Sequence, residues 1–180
     1  MTEARGSNLH HMRSYVQSKH GGASWASVLD SMQPGDASVL RGLLPVGWYP
    51  LDLQYRLIRA VDDVLGAGDG ALIADIGRYE ARQDLTVVHR LFLRMANPGV
   101  VLQQSGRYWD RFYKSGRWEV RRHSSTRATA RLVDLRPFDP LMADYLGAYI
   151  HEMWVLMNAD VHRMDASASG GVIRLEGQWR

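Results

Sequence analysis

The chain of 180 residues contains no cysteine. Disulfides, thiolate metal ligands and a cysteine nucleophile are therefore excluded. Seven histidines remain as conceivable metal ligands, but they are scattered along the sequence. His10 and His11 are adjacent, and neighbouring residues of a helix point in different directions, so we do not expect them to share a metal ion.

Long apolar runs are also missing, since no run approaches the roughly 18 residues that a membrane-spanning helix needs. Residues 1–8 lack the basic and then apolar pattern of a signal peptide. We therefore expect a cytoplasmic protein without a membrane span. The length is typical of one domain, and we predict a single domain over residues 1–180.

The third absence is that of a catalytic constellation. The sequence shows no Ser/His/Asp order, no paired carboxylates in a recognisable frame and no His-x-x-x-His spacing. His151 and Glu152 are adjacent on a predicted helix, but adjacent helical residues do not face each other. We therefore predict no catalytic residues and no metal ligands, and we expect that the chain is not an enzyme.

One apolar helix, predicted over residues 139–157, organises the chain. Asp139 suits the N-cap and Pro140 suits the first helical position. Apolar residues, Tyr149 among them, then recur with the period of a helix as far as Met157. Two strand-like segments precede this helix and two follow it, so its apolar stripe is expected to pack on the inner face of a sheet.

The hydrophobic period changes from 3.6 to 2 after Gly116. Before it, apolar stripes predict helices over about residues 7–115. After it, alternation predicts strands within about residues 117–179, with Ile173, Leu175 and Trp179 facing the core. The predicted fold is α+β: an N-terminal helical layer followed by β-β-α-β-β with a four-stranded antiparallel sheet.

This order of elements resembles the fold shared by haem-nitric-oxide-binding sensors, four-vinyl-reductase domains and Golgi transport-particle subunits. Within that group the sequence looks like a family of uncharacterised proteins common in myxobacteria. The resemblance lies in residues 43–57 (LLPVGWYPLDLQYRL), 66–85 (GAGDGALIADIGRYEARQDL), 89–104 (HRLFLRMANPGVVLQQ) and 108–120 (YWDRFYKSGRWEV). These are packing and turn signatures, so the resemblance implies a fold and leaves the activity open.

A five-residue segment, Tyr113-Lys114-Ser115-Gly116-Arg117, matches the Tyr-x-Ser-x-Arg motif with which haem-nitric-oxide-binding proteins hold haem propionates. In that family the motif follows the first hairpin, whereas here it precedes the first strand. The family's proximal histidine lies on the helix just ahead of the sheet. Residues 98–115 contain no histidine, and His89 lies one helix earlier. We therefore expect no cofactor, with haem kept as an alternative.

Aromatic residues are the better indication of a site, because many fall on elements that should meet between the helices and the sheet. Core packing accounts for such residues in most proteins. The alternative is a cavity lined by rings for a small apolar ligand. The candidate ligand-binding residues are Trp48, Phe92, Trp109, Phe112, Tyr113, Trp118 and Trp154.

The positive charge is concentrated in residues 107–136, which hold nine lysines and arginines against three acidic residues. Arg117, Arg121, Arg127 and Arg131 would lie on the outer face of the first hairpin and form a candidate anion patch. A solvated surface is the simpler interpretation, and no alternating aromatic residues form a base-stacking platform, so we do not expect nucleic acid to bind.

Three hypotheses for function remain. The first is a non-enzymatic sensory module in bacterial regulation, which binds a small apolar ligand or a partner protein. The second is a structural interaction module that forms a homodimer through its helices. The third is a haem-based gas sensor.

Overall fold

The computed structural model describes residues 2–84 and 97–180. Helices precede a β-β-α-β-β arrangement, as predicted, and two short strands that were not predicted lie among the helices. The helices within these residues are α1 (Gly6–His20), α2 (Gly22–Ser31), α3 (Pro34–Arg41), α4 (Leu51–Leu65), α5 (Ala71–Asp84), α6 (Pro98–Trp109) and α7 (Leu141–Leu156). The strands are β1 (Glu3–Arg5), β2 (Trp48–Pro50), β3 (Arg117–Arg122), β4 (Arg127–Val133), β5 (Val161–Ser169) and β6 (Val172–Trp179).

The main sheet is antiparallel throughout, with the strand order β3-β4-β6-β5. Its register places Trp118 opposite Leu132 and Ala130 opposite Leu175. The inward-facing residues of β4 and β6 are buried as their alternation predicts: Ala128, Ala130, Leu132, Ile173, Leu175 and Trp179. The predicted α+β fold, with helices followed by a four-stranded antiparallel sheet, is confirmed.

Helix α7 begins at Leu141, one residue after the predicted first position at Pro140. Asp139 lies just before it, and its Oδ1 accepts a hydrogen bond of 3.0 Å from the backbone N–H of Leu141. The helix packs on the sheet at β5 and also, more extensively, on α5. Its apolar residues therefore serve two interfaces rather than the sheet alone. Tyr149, expected between helix and sheet, instead donates a hydrogen bond to Asp84 of α5.

The strands β1 and β2 form a short ribbon that the sequence pattern does not predict. The two strands pair antiparallel, with Glu3 opposite Pro50. The backbone also joins β1 to the segment after α6, through Arg5 N to Phe112 O at 2.7 Å and Lys114 N to Glu3 O at 2.8 Å. This pairing explains why α6 ends at Trp109, although a helix is predicted as far as residue 115.

Buried apolar residues from Ala4 in β1 to Trp179 in β6 form one core cluster. The helix predicted over residues 85–95 lies outside the described residues, as do His89 and Phe92. No helix in the described part of the chain is both long and apolar enough to cross a membrane.

Candidate functional site

Three of the predicted pocket residues come together at the junction of α6 and β3. The Trp109 ring stacks on Tyr113 with 3.9 Å between centroids, and it meets the edge of Trp118 at 5.8 Å. Trp109 Nε1 donates to the backbone oxygen of Ser115 at 2.7 Å. Trp109 and Tyr113 are buried and Trp118 is half-buried. Trp109 therefore packs directly on both of the other rings.

The other predicted pocket residues lie apart from this group. Trp154 is buried against the sheet, where its ring packs edge-on against Trp179 at 4.9 Å. Trp48 lies on β2, with the cationic groups of Arg5 and Lys114 within 5.1 and 4.3 Å of its ring centroid. Phe112 is half-buried, and Phe92 is outside the described residues. The ring contacts of the described residues join Trp109, Tyr113 and Trp118, and a pocket lined by all seven residues stays a prediction.

The side chains of the Tyr-x-Ser-x-Arg segment point to three different places. Tyr113 Oη lies in the core and accepts a hydrogen bond of 3.1 Å from Gln54 Nε2. Ser115 Oγ accepts from the backbone N–H of Arg136 at 2.9 Å. Arg117 is exposed and pairs with Glu119 at 2.8 Å. These groups hold the polypeptide together and do not converge on a common carboxylate ligand.

The outer face of the hairpin carries the predicted arginines, but acidic side chains neutralise most of them. Arg131 pairs with Glu119 at 3.1 Å, and Arg127 pairs with Glu176. A groove of about 330 Å³ crosses this face; it is lined by Glu119, Val120, Arg121, His123, Thr129, Arg131 and Arg174. The groove thus carries three arginines against one glutamate, so its lining is net positive and the anion patch stays a prediction.

A second group of polar side chains is buried where α1, α5 and α7 meet, and we name the residues His11, Glu80 and Asp84 the acidic–imidazole triad. Gly77 makes the meeting possible, because a Cβ atom on it would lie 2.3 Å from the backbone oxygen of Tyr145. The close approach brings Glu80 and Asp84, one helical turn apart, against the tyrosines of α7. His11 reaches the same place from α1.

The distances within the triad are longer than hydrogen bonds. His11 Nδ1 lies 3.8 Å from Glu80 Oε1 and 3.6 Å from Asp84 Oδ1. The Glu80 side chain is only 3% exposed, while those of His11 and Asp84 are 18% and 17% exposed. Tyr149 Oη donates to Asp84 Oδ2 at 3.0 Å, so the other carboxylate oxygen, Oδ1, faces His11.

Burial changes the protonation behaviour of all three groups. It raises the pKa of Glu80 to about 7, against the opposing effect of His11. It also raises the pKa of Asp84, again opposed by His11 and by the Tyr149 hydroxyl. For His11, burial acts to lower the pKa, but the attraction of Glu80 and Asp84 outweighs it and the pKa is raised. The triad has two carboxyl groups and one imidazole, so a protonated His11 can neutralise only one ionised carboxylate.

Sequence reasoning missed this group, since it found no paired carboxylates in a recognisable frame. Glu80 and Asp84 are four residues apart and lie on the face of α5 that also carries Ile73, Ile76 and Gly77. Two like charges next to an apolar helical stripe are the signal that was available. His11 is remote in sequence, and only the packing of α1 on α5 brings it close.

No protein-family model and no curated protein matches the chain. Several solved structures match its fold. An H-NOX (haem-nitric-oxide-binding) protein mutant from K. algicida, in the Fe(II) unliganded state, has a TM-score of 0.77 at 10% identity and covers 98% of this chain and 96% of that chain. An H-NOX protein from S. oneidensis in the Fe(II)NO state has a TM-score of 0.75 at 9% identity and covers 98% and 99% of the two chains. An oxygen-binding H-NOX domain related to soluble guanylate cyclases, in its oxygen complex, has a TM-score of 0.68 at 12% identity and covers 98% and 95%.

These neighbours correct one expectation and agree with another. The expectation of no cofactor is wrong by this comparison, because the chain shares its fold with Fe(II) proteins of the haem-nitric-oxide-binding group, and haem is the cofactor to which that fold points. The expectation that the chain is not an enzyme agrees with the neighbours, which are H-NOX proteins and domains.

The described residues do not fit a haem by themselves. A haem iron receives an axial protein ligand, such as a histidine nitrogen, beside the flat porphyrin. The His11 side chain is only 18% exposed, but its Nδ1 faces two carboxylates. The Tyr-x-Ser-x-Arg segment offers no cradle for propionates. His89 lies outside the described residues. The likeness to these solved structures thus shows that the chain has the H-NOX fold, while the described residues alone supply no haem site.

Proposed function

We propose that this chain is a sensory module of the H-NOX fold that binds a small ligand. The observation that carries the proposal is the likeness in fold over 98% of the chain to proteins solved in Fe(II), Fe(II)NO and oxygen-bound states. Among the three hypotheses, the haem-based gas sensor has more support than a cofactor-free pocket, since these neighbours are H-NOX proteins solved with iron or with a bound gas. A role in bacterial regulation, the likeness to myxobacterial proteins and a cytoplasmic location are parts of the same proposal.

The haem hypothesis requires a residue that can hold the iron, and the histidines are the candidates. Most of the described ones are surface or boundary residues: His20, His123 and His162 are exposed, while His10 and His151 are half-buried. His11 is held between two carboxylates. If the chain binds haem, His89, in the segment of residues 85–96, would be the histidine that holds the iron.

The group of Trp109, Tyr113 and Trp118 is proposed as one wall of the ligand space. Its position supports this role, because Trp109, at the end of α6, contacts the rings of both Tyr113 and Trp118, the latter near the start of β3. A planar apolar ligand that entered there would change the surroundings of two indole rings. Tryptophan fluorescence is thus a second readout that does not depend on iron.

The test is a titration of the full chain with haem, followed by visible absorption and tryptophan fluorescence. We expect one haem per chain, with a shifted absorption band. His89→Ala should abolish the shifted band, and the exposed His20→Ala should keep it as the matched control. A wild-type chain that shows neither a shifted band nor a fluorescence change would overturn the haem sensor.

The same titration with a fatty acid separates the remaining hypotheses. A fluorescence change with the fatty acid but not with haem would support the cofactor-free pocket. No response to either ligand would favour the module that binds a partner protein or a second copy of itself. Native mass spectrometry of the untreated chain then measures whether it is a monomer or a homodimer.

A further inference from the structure

We propose that His11, Glu80 and Asp84, the acidic–imidazole triad, bind a divalent transition-metal ion. One ligand atom from each of the three residues lies within 4.8 Å of the other two. Ligands at about 2.0–2.2 Å from a common ion are separated by roughly 3.0–3.6 Å from one another. The separations of 3.6 and 3.8 Å from His11 Nδ1 are at or just above this range, and the two carboxylate oxygens, which lie within 4.8 Å of each other, would be drawn together by an ion between them. This site is independent of the proposed haem.

The triad is not explained as an ordinary ion pair. His11 Nδ1 and Glu80 Oε2 are buried and have no hydrogen-bond partner in the described structure. Buried polar atoms normally have a partner, and leaving one without costs free energy. No lysine or arginine among residues 2–84 and 97–180 pairs with Glu80 or Asp84. A divalent cation would supply both the missing contacts and the missing positive charge.

The surroundings of the triad resemble the outer shell of a metal site. Tyr149 Oη donates to Asp84 Oδ2, which fixes the carboxylate with its Oδ1 directed to His11. Such hydrogen bonds hold ligating carboxylates in place in known metal sites. The partial exposure of His11 and Asp84 leaves a route for the ion from solvent.

The donor set decides the class of metal. One imidazole nitrogen and two carboxylate oxygens, without a thiolate, suit ions such as Zn²⁺, Fe²⁺, Mn²⁺ or Co²⁺. Mg²⁺ is a poorer match, because it prefers an octahedron of oxygen ligands and gives up its water reluctantly. Three protein ligands would leave at least one position for water or a small ligand.

The experiment uses the full chain, freed of metal with a chelator and without added haem. Calorimetric titration with Zn²⁺ and Co²⁺ should give one ion per chain, and Co²⁺ should add visible absorption bands of a protein-bound ion. Glu80→Gln and Asp84→Asn should each weaken binding about tenfold or more. Asp75→Asn, on the exposed face of the same helix, and His10→Ala, beside the ligand histidine, should bind as the wild type does.

Stability without metal separates the proposal from a proton shared between His11 and the carboxylates. If the triad is a metal site, metal-free Glu80→Gln should melt at or above the temperature of the metal-free wild type, and Zn²⁺ should raise only the wild-type melting temperature. Three results would overturn the proposal: no binding at one ion per chain, equal binding by Glu80→Gln, or loss of binding in His10→Ala but not in Asp84→Asn.

Discussion

At the scale of single residues, the Tyr149 hydroxyl is the contact that most directly shapes the buried polar group. It donates to Asp84 Oδ2 at 3.0 Å, and Asp84 is largely shielded from water. Tyr149 was expected at the interface between helix and sheet. The side of α7 that carries Tyr149 packs on α5, so its hydroxyl contacts a carboxylate rather than an apolar strand.

Tyr149→Phe removes this donor and leaves the ring in place. We expect the free energy of unfolding to fall by about 1 kcal/mol, because Asp84 loses a hydrogen bond without gaining full access to water. Urea denaturation in the presence of chelator measures the loss. Tyr108→Phe is the control, since Tyr108 is 55% exposed and should tolerate the change. Equal stability of Tyr149→Phe and the wild type would mean that the hydrogen bond contributes nothing.

The residues of the candidate site could be predicted only in part. Trp109 and Trp118 are close in sequence and flank the turn at Gly116, so their contact follows from local structure. The triad joins α1 to α5 over a long stretch of chain, and no local pattern encodes that contact. The polar character of the core is thus a property of helix packing, which a sequence alone does not display.

At the scale of elements, the contact between α5 and α7 determines the interior of the helical layer. Gly77 allows it, because its missing side chain leaves room for the backbone of α7 at Tyr145. A glycine within an apolar helical stripe is typical of a close approach between two helices, so this contact has a signal in the sequence. The consequence for the site is that the carboxylates of α5 are pressed against the tyrosines of α7.

Gly77→Ala tests this close approach. A Cβ atom at 2.3 Å from a backbone oxygen cannot be accommodated by rotating a side chain, so the helices must separate. We expect a loss of about 1–3 kcal/mol in the free energy of unfolding, measured by thermal or urea denaturation. Gly35→Ala is the matched control in another helix, because nothing lies within 4 Å of its added Cβ. A melting temperature of Gly77→Ala at or above that of Gly35→Ala would show that the two helices can move apart freely.

The long elements could be predicted and the short ones could not. Helix α7 carries both a cap at Asp139 and a continuous apolar pattern, and the four main strands carry alternation. The strands β1 and β2 have three residues each and no alternation to detect. Their pairing is maintained by distant partners, including the bond of 2.7 Å between Arg5 N and Phe112 O. Tertiary hydrogen bonds of this kind also end α6 earlier than its own pattern predicts.

At the scale of the whole molecule, α7 is the element that joins the helical layer to the sheet. It packs on α5 on one side and on β5 and β6 on the other. A signal that passed from the helices to the main sheet would cross α7 or α6, because the described helical layer contacts that sheet chiefly through these two helices. One shared core is therefore expected to govern both stability and response.

The last prediction is that the whole chain unfolds in one transition. Leu9 in α1 and Leu175 in β6 belong to the same core cluster and are 0% and 1% exposed. Leu9→Ala and Leu175→Ala should each cost about 2–5 kcal/mol, and each should shift the helical circular-dichroism transition and the tryptophan-fluorescence transition by the same amount. Val46→Ala, at a residue that is 73% exposed, should shift neither. If Leu9→Ala moved only the helical signal, or if proteolysis left a stable fragment of residues 117–180, the sheet would be an independent domain, and binding at the helices would have no direct effect on it.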